Sequence, residues 1–311
     1  MKYKHLFGPV PSRRLGVSLG VDLVPHKVCS MNCIYCEVGK TTTLTIKRGD
    51  YIPLKDLMKE LSEYLANEPE LDYITFSGAG EPLLHSGIGE IIHYIKTEYP
   101  QYKLALITNS TMLCEKKVRN EIKDIDLILP SLDAASELAF RKINRTHPKV
   151  KLSEIINGLI EFKKLFSGEM WLEVFLSPGI NDTQEELANL KEAIMEISPD
   201  QVQLNTLDRP GTQTGLEPIS EERMAEIAEF FRPLPVTVIA KFKSRNKLSS
   251  FDVNVESVIL ETISRRPCTA KDLSEMLGLH INEVNKYIST LLKDDKIVAE
   301  EQRRGVFFCA K

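Results

Sequence analysis

Val17-Ser-Leu-Gly-Val-Asp-Leu-Val-Pro-His-Lys-Val-Cys29-Ser-Met-Asn-Cys33-Ile-Tyr-Cys36 is a strand pattern that runs directly into a three-cysteine loop. Val17, Leu19, Val21 and Leu23 recur at every second residue, which puts them on one face of a strand. Cys29, Cys33 and Cys36 read C-x3-C-x2-C, close enough on the chain to converge on one metal centre. Three thiolates are one ligand fewer than a closed structural zinc site or a simple [4Fe-4S] cluster takes. The spacing therefore predicts a metal centre with one open position. The alternative is a Cys3His zinc site with His26 as the fourth ligand.

Outward from this loop, strand and helix patterns alternate. Leu54, Leu57, Met58, Leu61 and Leu65 share a helical face. Strand-like runs follow at Tyr73–Phe76, Leu104–Thr108, Asp126–Leu132, Trp171–Leu176 and Val202–Thr206. Helical patterns such as Ile155, Ile156, Leu159, Phe162 and Leu187, Leu190, Ile194, Ile197 lie between them. Six strands separated by helices predict a parallel α/β sheet, either doubly wound or barrel-like, with ligands at the carboxyl ends of the strands. Six units are too few for a complete eight-unit barrel.

The pattern changes at the polar, basic stretch Lys241–Ser250, which reads as a linker. Beyond it come three helices, around Val255–Ile263, Leu273–Leu277 (capped by Thr269) and Ile281–Leu292. Ile297-Val298 and Val306–Phe308 flank a polar turn like a hairpin. Three helices and a hairpin predict a small winged helix-turn-helix over residues 251–311, after a first domain over residues 1–245.

Hydrophobic residues make up 42% of the chain and charged ones 27%, which is ordinary globular composition. A net charge of −4 argues against binding nucleic acid by bulk charge. The start, Met-Lys-Tyr-Lys-His, lacks the apolar stretch of a signal peptide, and no apolar run approaches the roughly 20 residues a bilayer requires. These features predict a cytoplasmic protein with no membrane association, where clustered cysteines signal metal or redox chemistry rather than disulfides. The scattered Cys114, Cys268 and Cys309 read as core or incidental.

Each chemical motif follows an expected strand. Ser77-Gly-Ala-Gly-Glu-Pro82 lets the backbone approach a ligand through Gly78 and Gly80, and Glu81 offers a carboxylate to an ammonium group. Asn109, Ser131 with Asp133, and Ser177–Asp182 with Asn181 follow the next strands. Ser131 and Asp133 also read as caps of the next helix. In the sixth strand Gln203 and Asn205 face the same side. Arg13, Arg14, Lys27, Lys40, Lys47 and Arg48 cluster around the expected mouth, where they either steer an anionic substrate or stand as solvated loop charges. Arg209 is a further candidate for a substrate or cofactor contact. His85, His93 and His147 stand alone and carry no assigned role.

The cysteine run, with Tyr35 before its last cysteine, resembles the signature of the radical S-adenosylmethionine (radical SAM) superfamily. Gly78-Ala-Gly-Glu-Pro82 resembles that superfamily's glycine-glutamate element, with Ala79 where a second glycine is common. Phe7–Gly16, Ser131–Ala134, Pro178–Asn181 and Gln203–Pro210 resemble a small subgroup grouped loosely with wyosine-type tRNA-modifying and molybdopterin-precursor enzymes. The resemblance covers about residues 5–240. It implies a partial (β/α)6 barrel and a [4Fe-4S] cluster held by Cys29, Cys33 and Cys36, with S-adenosylmethionine (SAM) on the fourth iron. It further implies that Glu81, with nearby backbone, holds the SAM amine. Ser131, Asp133 and Asn109 would meet the ribose or carboxylate, and Tyr35 and Pro178–Asn181 the adenine. A flavodoxin- or ferredoxin-like donor is the implied electron source.

On this reading a SAM-derived radical abstracts hydrogen from a substrate, with no catalytic residue on the chain yet identified. RNA, specifically a tRNA base, is the substrate class favoured by the grouping and the basic mouth. A peptide or protein docked by the winged helix is a second reading. A redox-sensing DNA-binding regulator is a third, of a different class. The third helix and its surroundings nearly balance acids against bases, a poor footprint for duplex DNA, with Arg303 and Arg304 the exceptions.

Overall fold

The computed structural model describes residues 3–12, 14–239, 255–279, 281–302 and 304–311. The linker expected at Lys241–Ser250, together with Arg13 and Arg303, lies outside the described residues. In chain order the elements begin with β1 (Leu6–Ser12), β2 (Gly16–Val21), the two-residue strands β3 (Val28–Cys29) and β4 (Thr43–Leu44), and α1 (Leu54–Leu65). Then come β5 (Tyr73–Phe76), α2 (Ile88–Glu98), β6 (Lys103–Thr108), α3 (Lys116–Ile122), β7 (Leu127–Pro130), α4 (Glu137–Asn144) and α5 (Leu152–Leu165). The first part closes with β8 (Glu169–Leu176), α6 (Gln184–Ile197), β9 (Gln201–Thr206), α7 (Glu221–Phe230) and β10 (Val236–Val238).

Eight strands form one sheet in the order β1-β2-β5-β6-β7-β8-β9-β10. Every neighbouring pair is parallel except β1 with β2. Sequential order with a helix between successive parallel strands winds the chain one way, as in a barrel. The two edge strands β1 and β10 do not pair, so the barrel is open.

All six expected strands are present within a residue or two. Two more strands of this sheet were not expected. β1 contains Pro9 and Pro11, which remove ladder donors and argue against a strand, yet an edge position tolerates them. β10 is three largely exposed residues, too short to show a period.

Periodicity becomes burial directly. Leu57, Leu61 and Leu65, spaced four apart on α1, are fully buried against the sheet. At the amino end of the barrel Leu15 fills the interior with Ala105, Leu127 and Leu129. Beside it Arg14, from the β1–β2 connection, forms an ion pair with Glu173 of β8 and donates to Gln203 Oε1 of β9 at 3.2 Å. A side chain from one end of the open sheet thereby grips the other.

The C-terminal unit comprises α8 (Val255–Arg265), β11 (Cys268–Thr269), α9 (Ala270–Leu277), α10 (Ile281–Lys293), β12 (Ile297–Gln302) and β13 (Gly305–Ala310). Its antiparallel sheet has the order β11-β13-β12. Ile259, Leu273, Val284, Leu291 and Phe308 form its core, with buried Cys268 among them. Thr269 caps α9 as expected, in a reciprocal capping box with Asp272. Among the described residues no helix is long and apolar enough to cross a membrane.

Candidate cofactor site

Cys29 ends β3, and Cys33 and Cys36 follow on a loop whose backbone polar groups are taken by the surrounding chain. The amides of Asn32 and Ile34 donate to the carbonyls of Asn144 and Ile143, at the end of α4, at 3.0 and 2.9 Å. The carbonyl of Ser30 accepts from the His147 amide at 2.9 Å, and that of Cys29 from the Thr45 amide at 2.9 Å. From the other side Thr212 Oγ1 donates to the carbonyls of Cys33 (2.8 Å) and Ile34 (3.0 Å). The Ile34 side chain is fully buried, anchoring the loop to the core.

Each sulfur has its own nitrogen donor. Asn109 Nδ2 lies 3.4 Å from Cys29 Sγ, Asn144 Nδ2 3.4 Å from Cys33 Sγ, and Lys27 Nζ 3.0 Å from Cys36 Sγ. Burial pushes the Cys29 thiol up to about 11, the Glu81 carboxylate adding to the effect, and burial raises Cys33 further. Thiols so placed ionise when a metal takes the proton's place, and donors aimed at sulfur suit the ligating thiolate. The three thiols also lie within electrostatic reach of one another. Among the described residues no three His, Cys, Asp or Glu side chains, Cys29, Cys33 and Cys36 included, are placed together closely enough to hold a metal ion as they stand. The three cysteines are half-buried, whereas His26 is exposed. The donor set fits an iron-sulfur cluster better than the Cys3His zinc alternative.

Glu81 stands beside this loop. Its amide donates to the Val28 carbonyl at 3.1 Å, and its carboxylate accepts from Leu83 N, Thr108 Oγ1 and Asn109 N at 3.1, 2.7 and 2.8 Å. Burial raises its pKa to about 7, with the three neutral donors pulling only partly the other way. A buried carboxylate that pairs with no cation among the described residues is a fitting partner for the SAM ammonium group. Gly78 adopts φ +106, a conformation L-residues rarely take, and Gly80 passes so close to Val28 that a side chain has no room.

The other expected residues divide into two groups. Ser131, Asp133, Asn109 and Asn144 line a small internal void next to Met31. Asp133 accepts from Tyr35 Oη (2.6 Å), Asn144 Nδ2 (2.6 Å) and Phe175 N (2.9 Å), and burial raises its pKa to about 6. Asp133 and Ser131 do not cap α4; Ser136 does, by accepting from the Ala139 amide. Tyr35 stacks on Phe175 with centroids 3.8 Å apart. Asn181 is fully buried and ties the carbonyls of Asp133 and Phe175 (2.7 Å each), so it braces the loop from beneath. Asn205 donates to Glu173 Oε1 at 3.2 Å in the barrel interior, away from the thiols' own donors.

The basic mouth is a correction. Arg14 is bound to Glu173, and Lys27 is buried at Cys36. Arg48 is held by Glu121 and the carbonyls of Leu83 and His85. Lys40 and Lys47 alone of the described five stay exposed. Arg209 is buried and paired with Glu37 at 3.0 Å. Sequence reasoning missed Asn144, Glu173 and Asp22 altogether. Asp22 accepts from the Ala79 amide at 3.1 Å and from Arg265 of α8 at 2.5 Å.

A parallel, one-way-wound open barrel with three thiols and a buried carboxylate at the carboxyl ends of its strands defines a class of cluster-dependent SAM enzymes. The chain belongs to the radical SAM superfamily, whose family model matches residues 23–190. This is a family of enzymes that bind a [4Fe-4S] cluster and SAM. The chain is 32% identical to a UPF0026 protein of Methanocaldococcus jannaschii over 97% of its own length and 94% of that protein. It is 36% identical to a protein named GTPase Obg from Brachyspira hyodysenteriae over 98% of its length, but spans only 45% of that relative. Among solved structures, a radical SAM methyltransferase from Sphaerobacter thermophilus matches with a TM-score of 0.55 at 16% identity, covering 71% of this chain and 65% of that one, a likeness of fold.

Proposed function

We propose that Cys29, Cys33 and Cys36 hold the cluster and that the chain cleaves SAM reductively to start hydrogen abstraction from a substrate at the carboxyl end of the barrel. The observation that carries this reading is the set of three nitrogen donors, one on each sulfur, beside a buried carboxylate with neutral partners. When bound, the cluster and SAM together supply a 5'-deoxyadenosyl radical, through one electron and a broken C–S bond. Glu81 takes the SAM amine. Gly78 and Gly80 let the backbone approach it, while Asn109 and Ser131 face the ribose or carboxylate. Asp133 and Asn181 position Tyr35, Asn144 and the Phe175–Ile180 stretch. Glu173 and Asn205 line the interior where a substrate would sit. A flavodoxin- or ferredoxin-like protein supplies the electron. Anaerobic reconstitution should give four irons per chain, and dithionite with SAM should then yield 5'-deoxyadenosine. Four irons without 5'-deoxyadenosine would overturn the reaction.

The C-terminal unit reads as a winged helix that braces the barrel. Arg265 pairs with Asp22, just past β2, and Arg304 pairs with Asp208, just past β9, at 3.0 Å. Both partners follow carboxyl ends of strands near the two ends of the open sheet. Arg304, the wing cation expected to touch DNA, is occupied by Asp208 and Asp272, which weighs against the regulator reading.

With Arg14, Lys27 and Arg48 turned inward, a substrate small enough to enter under this brace suits the site better than an RNA held by charge. Bulk tRNA should pass a filter-binding assay unretained at physiological salt. Retention there would restore the RNA reading.

A further inference from the structure

We propose that Lys27 places a buried positive charge on the cysteine-held cluster and raises its reduction potential, an inference that rests on the three cysteines being the cluster ligands. Two unfavourable features meet at this residue. Its side chain is 3% exposed, and among the described residues no carboxylate pairs with it; its hydrogen-bond acceptor is Cys36 Sγ at 3.0 Å. Burying an ammonium group without a counter-ion is costly unless an anion meets it. Its backbone adopts φ 58, the left-handed region that glycine or asparagine enters far more readily than lysine. That conformation is pinned by Lys27 N donating to the Ala79 carbonyl at 2.6 Å and by Thr42 N and Thr43 N donating to the Lys27 carbonyl at 3.1 and 3.2 Å. The turn alone would be satisfied by a smaller residue; the long cationic side chain is explained by what it reaches.

The charge has a definite electrostatic consequence. Reduction adds one negative charge to a site that already carries three thiolates. A fixed cation stabilises the reduced form more than the oxidised one, and low polarity around it strengthens the effect. Asn109 and Asn144 donate to the other two sulfurs from neutral amides at 3.4 Å, so their influence is weaker. Lys27 is therefore the group on this chain best placed to make the cluster easier to reduce.

The test is an anaerobic redox titration of the reconstituted protein, read by electron paramagnetic resonance in the absence of SAM. Lys27→Asn removes the charge and keeps a residue that accepts left-handed backbone; Lys27→Arg keeps the charge. Iron is counted first. If wild type itself fails to hold four irons, the ligand assignment fails and the titration is moot. With four irons in place, the reduced-to-oxidised ratio at the wild-type midpoint should fall about tenfold in Lys27→Asn, equivalent to 59 mV for a one-electron couple. Lys27→Arg should stay within about twofold. A ratio within about twofold of wild type in Lys27→Asn would overturn the proposal, as expected if Lys27 instead met the SAM carboxylate. Should Lys27→Asn lose iron, Lys27→Gln takes its place with the same two outcomes.

Discussion

Cys33→Ala should leave a folded protein that no longer holds four irons and forms no measurable 5'-deoxyadenosine. Cys33 sits at the centre of the loop, its sulfur 3.4 Å from Asn144 Nδ2 and its carbonyl held by Thr212. The backbone bonds that shape the loop do not involve the thiol, so the loop persists without it. Loss of a residue that merely supports a metal ligand costs about 10–100-fold in affinity or activity. If Cys33 is one of three cluster ligands, as proposed, its loss should exceed the upper end of that range. The unfolding free energy of the apo variant, read by urea titration, should fall by no more than about 1–2 kcal/mol, since one small buried atom is lost. Iron analysis, urea titration and product chromatography read the three quantities separately. A stable variant that still cleaves SAM would remove Cys33 from the site.

Gly80→Ala is the second large effect, and it arises from space. A Cβ on Gly80 would lie 2.0 Å from the Val28 carbonyl oxygen and 2.9 Å from its carbon. Both are backbone atoms, so no side chain can rotate away. Val28 immediately precedes Cys29 and accepts from the Glu81 amide, so relief of the clash moves the Cys29 thiol and the Glu81 carboxylate together. A displacement of about 1 Å at a catalytic group costs on the order of 100-fold in rate. The strain should also lower stability by about 1–3 kcal/mol. Gly49→Ala is the control: its nearest neighbour would be 3.9 Å away, and both iron content and stability should hold. Wild-type iron and turnover in Gly80→Ala would show that this approach is not needed.

Much of this was legible in the chain because it is local. The period-two runs gave six strands, and the three cysteines and Glu81 sit within short motifs at strand ends. What escaped depends on distant partners. Asn144 reaches Cys33 across 111 residues of sequence, and Arg14 reaches Gln203 across 189. No spacing rule connects such pairs. Charge counting misjudged the mouth for the same reason. Arg14 and Arg48 look like solvated cations in sequence and prove to be internal, because each has an acceptor supplied by another element, while Lys27 turns inward to Cys36 on its own loop. β1 was hidden by its prolines, whose missing donors matter little at an edge.

The loop that carries the cysteines is fastened by its own backbone to α4, to Thr45, to His147 and to Thr212. In small zinc domains, metal binding and folding are one event, and chelation unfolds the chain. Here the bonds that shape the loop run through backbone groups and Thr212, and none runs through a thiol. Chelating the iron of the reconstituted protein should therefore leave the fold in place and allow the cluster to be rebuilt.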